Sequence, residues 1–416
     1  MTTATPPTVT AVDVRMYCLG TGDCFVLKFR ANDQVCFTML IDCGSCQGTP
    51  QEFRPYVENL AEWVKPEGVD LLVVTHEHND HVNGFAKCRD LFEDMDIRLA
   101  WFAWTENPND PSGRAQDLLD KRQRMRQGLA NALAQAERNY TTIEASQPTD
   151  FNRPATFAAM AAFRNGLLTL AEINLNQDAN NQGSAHLPGM KAIEEILKNK
   201  GVPVQYLSPG SSLSFPPLPG VTFHVLGPPL DKQYIYKEGK EGRDVYNRNY
   251  SFGEGILAMN ALAKLGEPLT EDDLPFASEY VLDPTDLDAT IGHHNLLNVK
   301  PARRAASLID NYRSPQNEWR TIEHEWLYTA GSLAIRLNSH INNTSLALAI
   351  EFGPGGKVML LPGDAEYGSW ESWHLIRKWE KAGQDGKPLV EDLLNRTVFY
   401  KVSHHLSYNG TALAKG

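Results

Sequence analysis

Residues 69–81 read Val69-Asp70-Leu71-Leu72-Val73-Val74-Thr75-His76-Glu77-His78-Asn79-Asp80-His81. The first seven form a nearly unbroken apolar run of strand length, which suits a strand covered on both faces. Three imidazoles and a carboxylate follow at once. Alternate residues at a strand end point the same way, so His76 and His78 can converge on one ion. A turn then lets Asp80 and His81 face a second. Nitrogen and carboxylate donors suit zinc, manganese or iron rather than calcium. The competing reading is a surface loop that happens to be histidine-rich. With only 12 histidines in 416 residues, that concentration favours a ligand set.

Outward from this stretch, the chain alternates strand and helix signals. Residues 12–44 predict two or three strands around the turn Gly20-Thr21-Gly22-Asp23, and 55–64 carries apolar spacing for a helix. Residues 84–97 predict a helix and 97–104 a strand. From about 106 to 182 the chain becomes charged and helix-prone, over 114–139 and again over 155–173, which reads as an insertion. A helix at 190–201 leads to strands at 202–207 and 221–229. A second polar insertion spans about 230–330, with one helical piece near 254–265. Strands return at 333–337, 344–352 and 357–365, followed by a helix at 369–381 and a last strand, 396–405. Residues 1–11 read as a flexible lead-in to one domain, 12–416. Such grouping predicts an α/β (α+β) fold of four αββα layers, two mixed sheets face to face with helices outside.

Composition narrows the function classes. The chain is 42% hydrophobic and 22% charged, enough apolar mass for a real core. No apolar run approaches the roughly 20 residues that cross a bilayer. The opening MTTATPPTVT has neither a basic start nor an apolar centre, so a cytoplasmic location without a membrane partner is expected. Six cysteines (18, 24, 36, 43, 46, 88) without an export signal read as thiols, the Cys43–Cys46 spacing included. A net charge of −12 does not attract nucleic acid through its global field. The run Lys121 to Arg126 reads as a solvated helix face, or else a local strip for a polynucleotide. Trp63, Trp101 and Trp104 read as core or cleft walls.

The His76–His81 motif resembles the metal-binding signature of the metallo-β-lactamase superfamily. Three further stretches are similar to that family: Leu40-Ile41-Asp42-Cys43-Gly44, Leu361-Pro362-Gly363-Asp364-Ala365 and Lys401-Val402-Ser403-His404-His405. The resemblance implies that Asp42 supports the site from behind, that Asp364 bridges two metals, and that His404 or His405 supplies a last imidazole. Leu19-Gly20-Thr21-Gly22-Asp23-Cys24-Phe25, Asn342 to Leu346 and Lys401 to Gly410 look like one branch, the domain found in bacterial DNA-uptake (competence) channel proteins and their free-standing relatives. Leu406 departs from that branch, where glycine is usual, and the channel's membrane helices are missing. Chains of this type usually continue through another strand and helix, so the resemblance implies either a C-terminal part cut short at Gly416 or a last strand supplied differently.

The family often adds a histidine between the first motif and the bridging Asp. His186, before a helix, is the first candidate; His224, His293, His294 and His340 follow. The implied cofactor is one or two divalent ions, zinc first, with manganese or iron as alternatives. The implied chemistry is hydrolysis by a water activated between two ions, with Asp80, Asp364 and His405 in catalytic roles. Lys401 could aid the leaving group, but a solvated strand-edge lysine is the simpler reading. The expected substrate is a phosphodiester: nucleic acid, single-stranded above all, an oligonucleotide or a cyclic nucleotide. Alternatives are a lactonase or amidase, a di-iron oxidoreductase, and a non-catalytic metal module. Oligomeric state stays open.

Overall fold

The computed structural model describes residues 8–145 (save 19 and 47), 168, 171–175, 186–239, 243–244, 337–406 and 410–413. The chain divides into two compact units. One comprises Met1–Gln123, Glu172–Ser251 and Arg336–Gly416; the other comprises Arg124–Ala171 and Phe252–Ile335. Of the second unit, the described residues hold the later part of a long helix and little else. All of 245–330 lies outside the described residues, with the helix expected at 254–265 and with His293 and His294.

The first unit is built on two mixed sheets. The larger runs in spatial order β1 (Ala11–Met16), β2 (Phe25–Ala31), β3 (Gln34–Ile41), β4 (Leu71–Val73), β5 (Ala100–Ala103) and β6 (Val204–Leu207). Its first three strands pair antiparallel and the rest parallel. The smaller runs β11 (Thr397–Tyr400), β10 (Lys357–Leu361), β9 (Leu348–Phe352), β8 (Val221–Val225) and β7 (Ser212–Leu213). Only its β10–β11 pair is parallel.

The apolar run at 69–75 is explained by period-two alternation between two cores. Leu71 and Val73 face the smaller sheet with Phe29, Met39, Phe223 and Ile350. Leu72 and Val74 face helices with Phe53, Leu60, Phe85 and Ile193. Those helices are α1 (Pro50–Val64), α2 (Asn79–Lys87), α3 (Arg89–Asp94) and, after the long α4 (Arg114–Ala145), α5 (Pro188–Lys200). Thr49 caps α1, and its N3 residue Glu52 bonds back to the cap. The smaller sheet buries its outer face under Trp370, Trp373 and Trp379. Each such fully buried large side chain contributes about 1.5–3 kcal/mol. The result is the four-layer αββα sandwich. Among the described residues, no helix is long and apolar enough to cross a membrane.

Several boundaries differ from the sequence reading. Leu337 opens a helical stretch, 337–342, where a strand ending at 337 was expected. Its polar residues Ser339 and Asn342 hydrogen-bond Glu366, which a strand would not bring to one place. The helix expected at 369–381 is Tyr367–Trp373, then a separate 3-10 turn, Arg377–Trp379. The last strand stops at Tyr400, because His404 and His405 take positive φ (45° and 47°) in a tight turn. His224 sits within β8 between Ser212 (2.9 Å) and Glu351 (3.0 Å), a packed strand residue.

Candidate metal centre

Five loops meet at the ends of β1, β3, β4, β10 and β11. Asp23 N–H donates to the Asp80 carbonyl (3.0 Å), Gly44 N–H to the Asp23 carbonyl (3.0 Å) and Cys43 N–H to the His81 carbonyl (2.8 Å). Such backbone contact leaves no room for side chains. A Cβ on Gly44 would lie 2.4 Å from the Asp80 carbonyl carbon, and one on Gly22 2.6 Å from the Asp80 oxygen. That is the physical content of the Asp-x-Gly pattern.

Within this frame the ligand atoms of Asp80, His81, Asp364 and His405 all lie within 4.8 Å of one another. His81 is oriented from behind. Its Nδ1 donates to Asp42 Oδ2 (2.8 Å), which leaves Nε2 facing Asp364 Oδ2 (3.1 Å). Asp42 itself takes φ +53°, held there by the Thr75 N–H (2.7 Å) and the Thr75 hydroxyl (2.5 Å). His405 Nε2 stands 3.2 Å from both Asp80 Oδ2 and Asp364 Oδ2. Asp80 Oδ1 is buried with no hydrogen bond among the described residues. Asp364 Oδ1 accepts from Lys401 Nζ (3.1 Å) and the His404 N–H (3.2 Å).

His76 and His78 form a pair beside this set. His76 Nε2 faces His78 Nδ1 at 3.0 Å, and the His76 and His81 ring centres are 4.1 Å apart. Two nitrogens on one tetrahedral zinc stand about 3.3 Å apart, given Zn–N of roughly 2.0–2.1 Å. The remaining His78 nitrogen faces Asn174 Oδ1 (3.1 Å), and that of His76 faces the Thr75 and Ser345 hydroxyls (3.0 and 3.2 Å). Each imidazole thus has one nitrogen anchored and one to offer.

The charges agree with a cation site. Four buried carboxylates, Asp23, Asp42, Asp80 and Asp364, share the space with His81, His405 and Lys401. Burial alone would raise Asp364, yet His81, Lys401 and His405 hold its carboxyl well below the usual range. Burial opposes charge on His405, but Asp364 raises it to about 10. His81 is raised in the same way by Asp364 and Asp23. His76 goes the other way: burial, and then the neighbouring His81 and His78, keep it well below the ordinary imidazole value. Protons on His81 and His405 stand where the charge of a divalent cation would be. The donor set, the burial and the unpartnered Asp80 Oδ1 therefore suit a nitrogen- and oxygen-binding metal.

Some expected residues are placed elsewhere. Of the His404–His405 pair, His405 joins the set, while His404 lies between Glu366 (3.2 Å) and Asn342 (3.1 Å). His186 is grouped instead with Glu77 and Glu106. Lys401 is not a solvated strand-edge lysine: its side chain is 9% exposed and paired with both Asp23 and Asp364. Nor is the Lys121–Arg126 run solvated throughout, although Arg124 is exposed. Arg122 is buried between Glu77 (2.7 Å) and Glu106 (3.0 Å), and Arg126 is buried as well. Asp23 was missed as a site residue, although the turn before it pointed to a tight approach. Among the described residues, no candidate metal group contains a cysteine.

Changing Asp42 to Asn keeps a residue type that tolerates positive φ but removes the charge behind His81. We expect metal affinity to fall roughly 10–100-fold, measured by competition with a chromophoric chelator. Unchanged affinity would show that Asp42 does not tune the centre.

Residues 29–94 match the family model described as the metallo-beta-lactamase superfamily. The match runs from β2 through α3 and includes Asp42, His76, His78, Asp80 and His81; Asp364 and His405 lie beyond it. No curated protein and no solved structure matches the chain.

Proposed function

From the premise that the chain belongs to the metallo-β-lactamase superfamily, most of whose members are metal-dependent hydrolases, we propose that it hydrolyses small phosphodiesters. The observation that carries this reading is the Asp80–His81–Asp364–His405 set, buried except at His405, with Asp80 Oδ1 left to bind. Two carboxylates beside two imidazoles make a comparatively hard donor set, suited to manganese or zinc and to stabilising charge on phosphoryl oxygens. The likeness of 19–25 and 401–410 to DNA-uptake domains supports the same chemistry. Arg122 is committed to Glu77 and Glu106, and net charge is −12, so short or single-stranded substrates are favoured over long duplex.

A divalent ion held by this set would supply Lewis acidity and lower the pKa of water. The chain's own residues prepare that chemistry. Asp42 fixes the His81 tautomer, so that Nε2 faces the centre. Lys401 and the His404 N–H hold one oxygen of Asp364, which leaves Oδ2 for the ligand set. Asn174 anchors His78 in the same manner. His405, on the half-buried side of the set, is its imidazole nearest solvent and closes it against Asp80 and Asp364 (3.2 Å each).

The test is a substrate panel with zinc and then manganese: bis-p-nitrophenyl phosphate, single-stranded DNA and an acyl lactone. Cleavage of the phosphodiester, lost with chelator and restored by metal, is the expected result. Lactone turnover without phosphodiester turnover would overturn the reading in favour of a carbonyl hydrolase.

A further inference from the structure

Glu77 separates the two motif histidines, yet its carboxylate serves a different cluster. It accepts from Arg122 (2.7 Å) and from the Leu187 N–H, and it lies 3.4 Å from His186 Nδ1. Glu106 is taken by the same guanidinium (3.0 Å). Next to these groups opens a cavity of about 520 Å³ between β5, β6, the start of α4 and α5. Its size is that of a small-ligand pocket, roughly 300–1,000 Å³. None of the metal-centre ligands lines it.

The walls are mainly apolar, with Phe102, Leu119, Leu197 and Tyr206 among them. Glu194, on α5, also lines the cavity. Among the described residues it has neither a hydrogen bond nor a salt bridge. Its neighbour Glu195 takes Arg89 instead (2.8 Å). Lys198, one turn further along the same helix, also lines the cavity, but it is exposed and forms no ion pair among the described residues. A carboxylate left over inside an apolar cavity asks for a cation that brings its own apolar surface.

We propose that this cavity binds a small organic ammonium ion, its N–H groups against Glu194 and its apolar body against Phe102, Leu119, Leu197 and Tyr206. The site is distinct from the hydrolytic centre, and its occupancy does not depend on the reading of that centre. The groups facing Glu194 are His186 from the loop before α5, Glu77 and Glu106 from the loops after β4 and β5, Tyr206 from β6, and Glu195 and Lys198 from its own helix. Burial pushes Glu194 up to about 7, only partly offset by His186. The ammonium requires the carboxylate form, so affinity rises as pH rises through about 7. Below that it falls about tenfold per unit.

The experiment is calorimetric titration of the full-length protein with 2-phenylethylammonium, 2-phenylethanol and 3-phenylpropionate. We expect the ammonium to bind one per chain, at least tenfold more tightly than the alcohol, with the carboxylate weaker still. Glu194→Gln should weaken the ammonium about tenfold or more while sparing the alcohol, and Leu119→Trp, which fills the cavity, should weaken both. Metal content and thermal midpoint report that each variant folds. Equal binding of ammonium and alcohol, indifference to both substitutions, or no binding at millimolar concentration would each overturn the proposal.

Discussion

Replacing Asp364 with alanine is expected to remove at least one equivalent of bound metal and to lower phosphodiester hydrolysis on the order of 10³-fold or more. The size follows from what the carboxylate touches. Oδ2 stands against both His81 and His405 (3.1 and 3.2 Å), so its loss opens the set from two sides. Oδ1 is the acceptor for Lys401 and the His404 N–H, so the turn that presents His405 loses its anchor as well. The effect should therefore exceed the roughly 10–100-fold expected when an outer partner such as Asp42 is changed. Asp364→Asn keeps the shape and part of the hydrogen bonding, and it should recover fold without recovering metal. Elemental analysis alongside steady-state rates makes the comparison. Full activity in metal-free or Asp364→Ala protein would remove the centre from the chemistry.

Arg122→Ala should destabilise the protein by about 3–5 kcal/mol, the cost of leaving buried carboxylates without their cation. Arg122 is 4% exposed, Glu77 and Glu106 are 0% and 1%, and one guanidinium serves both acids. An exposed pair such as Arg54–Glu58 gives the contrast, being worth at most about 1 kcal/mol. Because Glu77 lies between His76 and His78, the same change should loosen the first two imidazoles and lower metal affinity in parallel. Adding Glu77→Gln and Glu106→Gln to Arg122→Ala should restore part of the stability, since the charges are then gone together. Denaturant midpoints measure the series. A loss below about 1 kcal/mol would mean that water reaches these carboxylates, and that the triad is not a buried network.

The parts of this molecule that were legible in its sequence are those set by local pattern. The run 69–75 announced a strand covered on both faces because, from Leu71 to Val74, its odd and even residues belong to two different cores. Asp80, His81, Asp364 and His405 carried the residue types that a metal needs, and each stands at the end of an apolar strand or the start of a helix. What stayed hidden depends on partners far away in sequence. Nothing local to Lys401 shows that Asp23 and Asp364 enclose it, so a strand-end lysine read as solvated. Arg122 looked like one more charge on a helix face because its two acids come from the loops after β4 and β5. His186 stood in a suitable loop before a helix, but Glu77 draws it to another cluster. His404 and His405 could not be told apart in the sequence because their partners are distant in it: His405 meets Asp80 and Asp364, and His404 meets Glu366 and Asn342.

The distance along the chain between the two halves of the proposed ligand set also bears on when that set can be completed. His81 and Asp364 are 283 residues apart along the chain. At a ribosomal rate of about 5–20 residues per second, the first histidines wait roughly 15–60 s for the aspartate that completes their cage. During that interval the emerging chain offers imidazoles and Asp80 as a partial, weaker chelator, with His405 still to come. For the proposed centre, metal loading with the complete donor set is therefore expected only after synthesis has passed His405.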